Sequence, residues 1–122
     1  MKVLIVEDDN ETRLLLKKYL QSNSVEVITA QDGLAAMTIL KSHKVDLIMS
    51  DANMLGMDGY VLAKRVKRDA DIKMTPFFLY SSSSLPPSNV ELAFDLGVDR
   101  CLPQKEIQDI GNAALDYLNL SK

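Results

Sequence analysis

The sequence predicts an α/β fold, a doubly wound five-stranded parallel sheet of order 2-1-3-4-5 with helices on both faces. Three observations predict it. Short apolar runs of strand length alternate five times with segments of helical periodicity along the 122 residues, the pattern of successive βαβ units. The first, third and fourth runs are almost continuously apolar, as strands buried on both faces must be. The second carries Glu26 and the fifth carries Asp99 and Arg100, which places both at the edges of the sheet. The order 2-1-3-4-5 meets these conditions and sets strands one and three side by side.

The first strand is read over residues 2–6, and Val3-Leu4-Ile5-Val6 runs directly into Glu7-Asp8-Asp9. Asn10 can cap the first helix, with Asp9 as the competing cap, and Thr12, Leu16, Tyr19 and Leu20 share a face of it. Strand two is read over residues 25–30. Asp32 caps the second helix, which turns Ala36, Met37 and Leu40 inward, and His43 at its far end suits the helix dipole. Strand three, residues 45–50, runs straight into Asp51. Asp58 caps a third helix in which Leu62 and Val66 stand four apart. Strand four is residues 77–80, and the Ser/Pro-rich stretch 81–88 reads as a loop. Val90, Ala93 and Phe94 form the stripe of the fourth helix, and Gly97 supplies its left-handed stop. Strand five is residues 99–102, with Cys101 a small buried residue of it, and Ile110, Ala114, Tyr117 and Leu118 line the last helix.

Composition narrows the function classes. An apolar fraction of 47% and a charged fraction of 25% are those of a globular protein long enough to bury a core. A net charge of −3 without a basic run disfavours nucleic acid and anionic membrane surfaces as partners. No apolar stretch approaches the roughly 20 residues that span a bilayer, and Met1-Lys2 leads at once into a strand, with no room for a secretory signal. Cys101 is alone, which excludes an intrachain disulfide and a cysteine-based zinc site. The expectation is one cytoplasmic domain over residues 1–122, with no output domain after the last helix.

The two acidic strand ends carry most of the functional information. A carboxylate following a buried run must find a partner or a metal, or raise its pKa and neutralise. If strands one and three are parallel neighbours, Glu7, Asp8 and Asp51 meet at the carboxyl edge of the sheet, where ligands of such folds bind. Clustered carboxylates suit a hard divalent cation such as Mg2+. Without it they repel one another, and at least one pKa should rise.

Over essentially its whole length the chain resembles the CheY-like receiver domains of two-component response regulators. The resemblance rests on Val3-Leu4-Ile5-Val6-Glu7-Asp8-Asp9, on Ala30-Gln31-Asp32-Gly33 and on the run Asp46 to Gly59, which contains Ser50-Asp51-Ala52-Asn53-Met54. It continues through Thr75-Pro76-Phe77-Phe78-Leu79-Tyr80-Ser81 and Leu96-Gly97-Val98-Asp99. The resemblance implies that Asp51 accepts a phosphoryl group from a histidine kinase or phosphotransfer protein. Glu7, Asp8 and Asp51, with the backbone carbonyl of Asn53, would hold Mg2+, and the Ser81 hydroxyl would turn toward the phosphoryl group. It implies a phosphoacceptor with at most slow self-dephosphorylation, not an enzyme, signalling to a downstream protein as a monomer or a phosphorylation-linked dimer.

Three positions depart from the family pattern. Gln104 occupies the place of the usual lysine after strand five, with Lys105 next to it. Gln104 can donate a hydrogen bond but brings no charge, and a neutral bond nets roughly 1 kcal/mol against about 1.5–3 for a charged one. Cys101 stands where the family has an aromatic ring that relays the signal, and Leu55 replaces a loop proline. The changes at Gln104, Lys105 and Cys101 favour an alternative, a receiver-shaped interaction module whose partner binding does not depend on phosphate, whereas Leu55 loosens the loop without removing chemistry. A haloacid-dehalogenase-like phosphatase is disfavoured because Asn53 stands where its second aspartate is needed. A nucleotide-binding protein of flavodoxin type is disfavoured because Glu7-Asp8-Asp9 replaces a glycine-rich phosphate loop.

Overall fold

The computed structural model describes residues 1–81, 86–103 and 106–120. Its strands are β1 (Lys2–Val6), β2 (Glu26–Ala30), β3 (Leu47–Asp51), β4 (Phe77–Tyr80) and β5 (Arg100–Leu102). All neighbours pair in parallel, in the order β2-β1-β3-β4-β5. Between and after them run α1 (Asn10–Gln21), α2 (Gly33–Ser42), α3 (Gly59–Arg68), α4 (Pro87–Asp95) and α5 (Ile107–Tyr117). The predicted fold class, strand order and edge strands are those observed.

Alternation of side chains along each strand divides the core in two. Val3, Ile5, Leu47, Met49, Phe78, Tyr80 and Leu102 pack on one face against Leu16 and Leu20 of α1 and Ile110 and Ala114 of α5. Leu4, Val6, Ile48, Phe77 and Leu79 pack on the other against α2, α3 and α4 through Ala36, Leu40, Leu62, Val66 and Ala93. β1, β3 and β4 are buried on both sides, which explains their unbroken apolar sequence.

Local signals set the helix boundaries. Asp9 is the N-cap of α1, accepting from the Thr12 amide at 2.9 Å and the Thr12 hydroxyl at 2.6 Å, and Asn10 is the first helical residue. Asp32 and Asp58 cap α2 and α3 as expected, through the amides of Ala35 at 2.7 Å and Val61 at 2.9 Å. Gly97 ends the α4 turn with φ +98°. Pro87 opens α4, so this helix takes in the last residues of the stretch read as a loop, since proline is preorganised for a first helical position. Residues 82–85 of that stretch lie outside the described ones.

Three burial expectations change. Phe94 is 50% exposed, and of the α4 residues only Ala93 is buried, so the fourth helix rests on the sheet by a narrow contact. Tyr117 is half-exposed because it covers the edge of Phe78, with ring centroids 5.2 Å apart, instead of entering the core. Cys101 is half-buried on its edge strand, not enclosed. Among the described residues no helix is long and apolar enough to cross a membrane.

Candidate functional site

The parallel register builds the site. Val6 pairs with Ser50, so Glu7, one step beyond, stands level with Asp51, and Asp51 pairs with Tyr80. Glu7, Asp51 and Tyr80 therefore form a row across the carboxyl edges of β1, β3 and β4, on the α1/α5 face. Asp51 is the last residue of β3 rather than the first of the following loop, which fixes its backbone in the ladder. Gly59 then lets α3 start against it, because a Cβ there would lie 2.4 Å from the Asp51 carbonyl oxygen and 2.6 Å from Leu79.

Hydrogen bonds orient each member. The Asn53 amide donates to Asp51 Oδ1 at 3.0 Å, and the Asn53 side-chain amide donates to Ser81 Oγ at 3.0 Å. Ser81 is fully buried at the end of β4, so the predicted switch hydroxyl does lie beside the β3–α3 loop. Glu7 Oε1 accepts from the Tyr80 hydroxyl at 2.8 Å, and Glu7 Oε2 accepts from the Asp9 amide at 3.1 Å. Asp8 is exposed, and its Oδ2 accepts from the Leu55 amide at 3.1 Å, tying the β1–α1 loop to the β3–α3 loop. The Asp9 carboxylate, spent on its cap, is not among the converging ones, and this residue contributes through its backbone amide.

One carboxylate oxygen from each of Glu7, Asp8 and Asp51 lies within 4.8 Å of the others. Glu7 is 2% exposed and its pKa is pushed up to about 7, first by burial and then by the neighbouring charge of Asp51. The Asp51 carboxyl is also raised, again chiefly by burial, while the Asn53 amide and a hydrogen bond from Glu7 hold it down. The expected rise occurs, but desolvation leads and like-charge repulsion follows. Without a cation the Glu7 carboxyl therefore keeps its proton to higher pH than an ordinary glutamate does.

The donor set fits a hard divalent cation. It offers carboxylate oxygens from three residues, Glu7 and Asp51 buried and Asp8 exposed to solvent. Beside it opens a cavity of about 450 Å³, lined by Glu7, Asp8, Asp9, Asp51, Asn53 and Tyr80 at the strand ends, by Glu11, Thr12 and Leu15 of α1 and by Ile107 and Ile110 of α5. No lysine, arginine or histidine lines it among the described residues. Gln104 and Lys105, at and after the usual lysine position, lie outside the described residues.

Sequence reasoning brought together Glu7, Asp8, Asp51, Asn53 and Ser81, and the structure does the same. It missed Tyr80. The signal was present: residues 78 and 80 share a strand face with Asp51, and a buried tyrosine needs a partner for its hydroxyl.

Known proteins resemble the chain over most of its length. A family model for the response regulator receiver domain matches residues 3–113. The chain is 33% identical over 97 residues to the chemotaxis protein CheY-3 of Vibrio cholerae serotype O1, a match covering 76% of this chain and 72% of that protein. It is 29% identical over 110 residues to the sensor histidine kinase RcsC of Escherichia coli strain K12, a match that covers 90% of this chain and spans only 11% of RcsC. Among solved structures, the Mn(2+)-bound form of the response regulator Rcp1 superposes with a TM-score of 0.82 at 25% identity, covering 99% of this chain and 95% of that chain.

Proposed function

The chain belongs to the response regulator receiver domain family, and from that premise we propose that Asp51 accepts a phosphoryl group from a partner histidine kinase or phosphotransfer protein. The observation that carries this reading is the convergence of Glu7, Asp8 and Asp51 within 4.8 Å at the carboxyl edge of β1 and β3. We assign Mg2+ to these carboxylates together with the Asn53 backbone carbonyl, and the likeness to the response regulator Rcp1, solved in an Mn(2+)-bound form, supports binding of a divalent cation. Bound there, the ion would neutralise charge on Asp51 and on the phosphoryl oxygens.

The protein's own groups would do the positioning. The Asn53 amide at Asp51 Oδ1 fixes the carboxylate plane, so the nucleophile meets the phosphorus in one orientation. As the P–O bond to Asp51 forms, the P–N bond to the donor histidine breaks, and the imidazole keeps the electron pair and takes up a proton. The Ser81 hydroxyl, now bonded by the Asn53 side chain, would turn toward the phosphoryl group. Gln104 would supply a neutral donor in the lysine's place. The domain would then signal by contact with a downstream protein, in the cytoplasm, as a monomer or a phosphorylation-linked dimer, with at most slow self-dephosphorylation.

Incubation with Mg2+ and a small-molecule phosphodonor or beryllofluoride, followed by mass spectrometry or NMR, tests this. Wild type should be modified at Asp51, or show metal-dependent shifts, and Asp51→Asn should not. An inert wild type at millimolar Mg2+ would end this reading in favour of a receiver-shaped module whose contacts do not depend on phosphate. The half-buried thiol of Cys101, which lacks the ring that relays the signal in relatives, is the observation on that side.

A further inference from the structure

The row of side chains at the carboxyl edge contains one group that phosphoacceptance as outlined above leaves unused. Tyr80 is 1% exposed, and its hydroxyl reaches past the level of Asp51 to Glu7 Oε1 at 2.8 Å. Phe78, two residues earlier on the same face of the same strand, fills the core with a plain ring. Only the ring that arrives at the carboxylates carries a hydroxyl. A buried phenol of this kind costs free energy unless it is hydrogen-bonded, and its bond here is made to a carboxyl group of the acidic cluster.

Besides the hydrogen bond it shares with Asp51, the Glu7 carboxyl is thereby held by Tyr80 at one oxygen and by the Asp9 amide at the other. The amide is fixed by the backbone at the start of α1. The phenol is the one side-chain partner that enters from β4, across the width of β3. Among the described residues no cationic side chain lines the cavity to do the same work. We propose that Tyr80 is a positioning residue of the divalent-cation site: its hydroxyl sets the orientation of the Glu7 carboxyl, and through it the affinity for the cation. The idea rests on the assignment of Mg2+ to the acidic cluster. Partners of metal ligands that fix ligand orientation in this way are commonly worth 10–100-fold in metal affinity.

The test compares wild type with Tyr80→Phe, which removes the hydroxyl and keeps the ring. Titration with MgCl2 by calorimetry should show affinity lowered about tenfold in the variant, at the low end of that range. The chain has no tryptophan and four tyrosines, so near-ultraviolet tyrosine absorption is observable directly. Mg2+ should perturb that spectrum in wild type, and most of the perturbation should vanish in Tyr80→Phe. A purely structural phenol would lower melting temperature while leaving Mg2+ affinity unchanged and the wild-type spectrum indifferent to metal. That pair of results would overturn the proposal.

The same samples separate this inference from phosphoacceptance. A wild type that binds Mg2+ with the tyrosine signature but never becomes modified at Asp51 supports Tyr80 and sinks phosphoacceptance. A wild type that is modified, with a variant that binds Mg2+ equally well, sinks Tyr80 alone. A wild type that binds no Mg2+ at millimolar concentration removes both.

Discussion

Glu7 shows how a single residue links the site to the stability of the fold. Its carboxyl titrates near 7 in the folded protein against an ordinary value of 4.5, so over that window the folded state keeps a proton that the unfolded chain has lost. Stability therefore falls as pH rises from about 4.5 to about 7, and the raised Asp51 carboxyl acts in the same direction. Asp9 works oppositely at lower pH, because its capping bonds to Thr12 depress its pKa and are lost on protonation. In metal-free buffer, urea denaturation should give its highest midpoint near pH 5 and a lower one at pH 8. Glu7→Gln, which mimics the protonated acid, should flatten that slope and raise stability at pH 8 by about 1–3 kcal/mol. A steeper slope in the variant would refute this account. Glu7 was recognisable in sequence as a carboxylate at a buried strand end. The lead of burial over charge repulsion was not, because it depends on how closely α1 and α5 cover the row.

At the scale of elements, the site depends on how closely α3 approaches the end of β3. Gly59 permits that approach, and a Cβ there meets backbone, which cannot swing aside as a side chain can. Gly59→Ala should therefore cost about 1–3 kcal/mol of stability and also displace Asp51, weakening Mg2+ binding. Gly56 provides the contrast. Its φ is +76° and nothing lies within 4 Å of an added Cβ, so Gly56→Ala should cost about 1–2 kcal/mol through backbone strain while sparing the site. Thermal melts combined with Mg2+ titrations check both, and equal losses of metal affinity would contradict the distinction. The caps Asp32 and Asp58 were legible in sequence because a cap is a local event. The outward turn of Phe94 was not, since helical periodicity places residues on a stripe without saying how firmly a neighbour covers it.

For the molecule as a whole, alternation and strand hydrophobicity separated the central strands from the edges, because central parallel strands are apolar on both faces and edge strands are not, and the known doubly wound order 2-1-3-4-5 satisfies that division. The same reasoning placed Glu7 and Asp51 together through the pairing of β1 with β3. Strand alternation puts Tyr80 on the Asp51 face and calls for a partner to its hydroxyl, but it does not say that the partner is Glu7, 73 positions away. A site assembled from distant strands exists only in the folded state, so a cation that binds it should stabilise the whole fold by mass action. At a hundred times its dissociation constant Mg2+ should add about 2.7 kcal/mol, seen as a higher melting temperature in wild type and a much smaller rise in Asp51→Asn. The slender seating of α4, with Ala93 as its one buried residue, has a further consequence. A helix with so little buried apolar surface opens at low free-energy cost, long before the sheet parts. Its amides should exchange with deuterium well ahead of those of α3, which buries Gly59, Leu62, Ala63 and Val66. The molecule would then breathe by lifting one helix from a sheet that stays intact, so α4 could be remodelled by a bound partner without disturbing the acidic row on the opposite face.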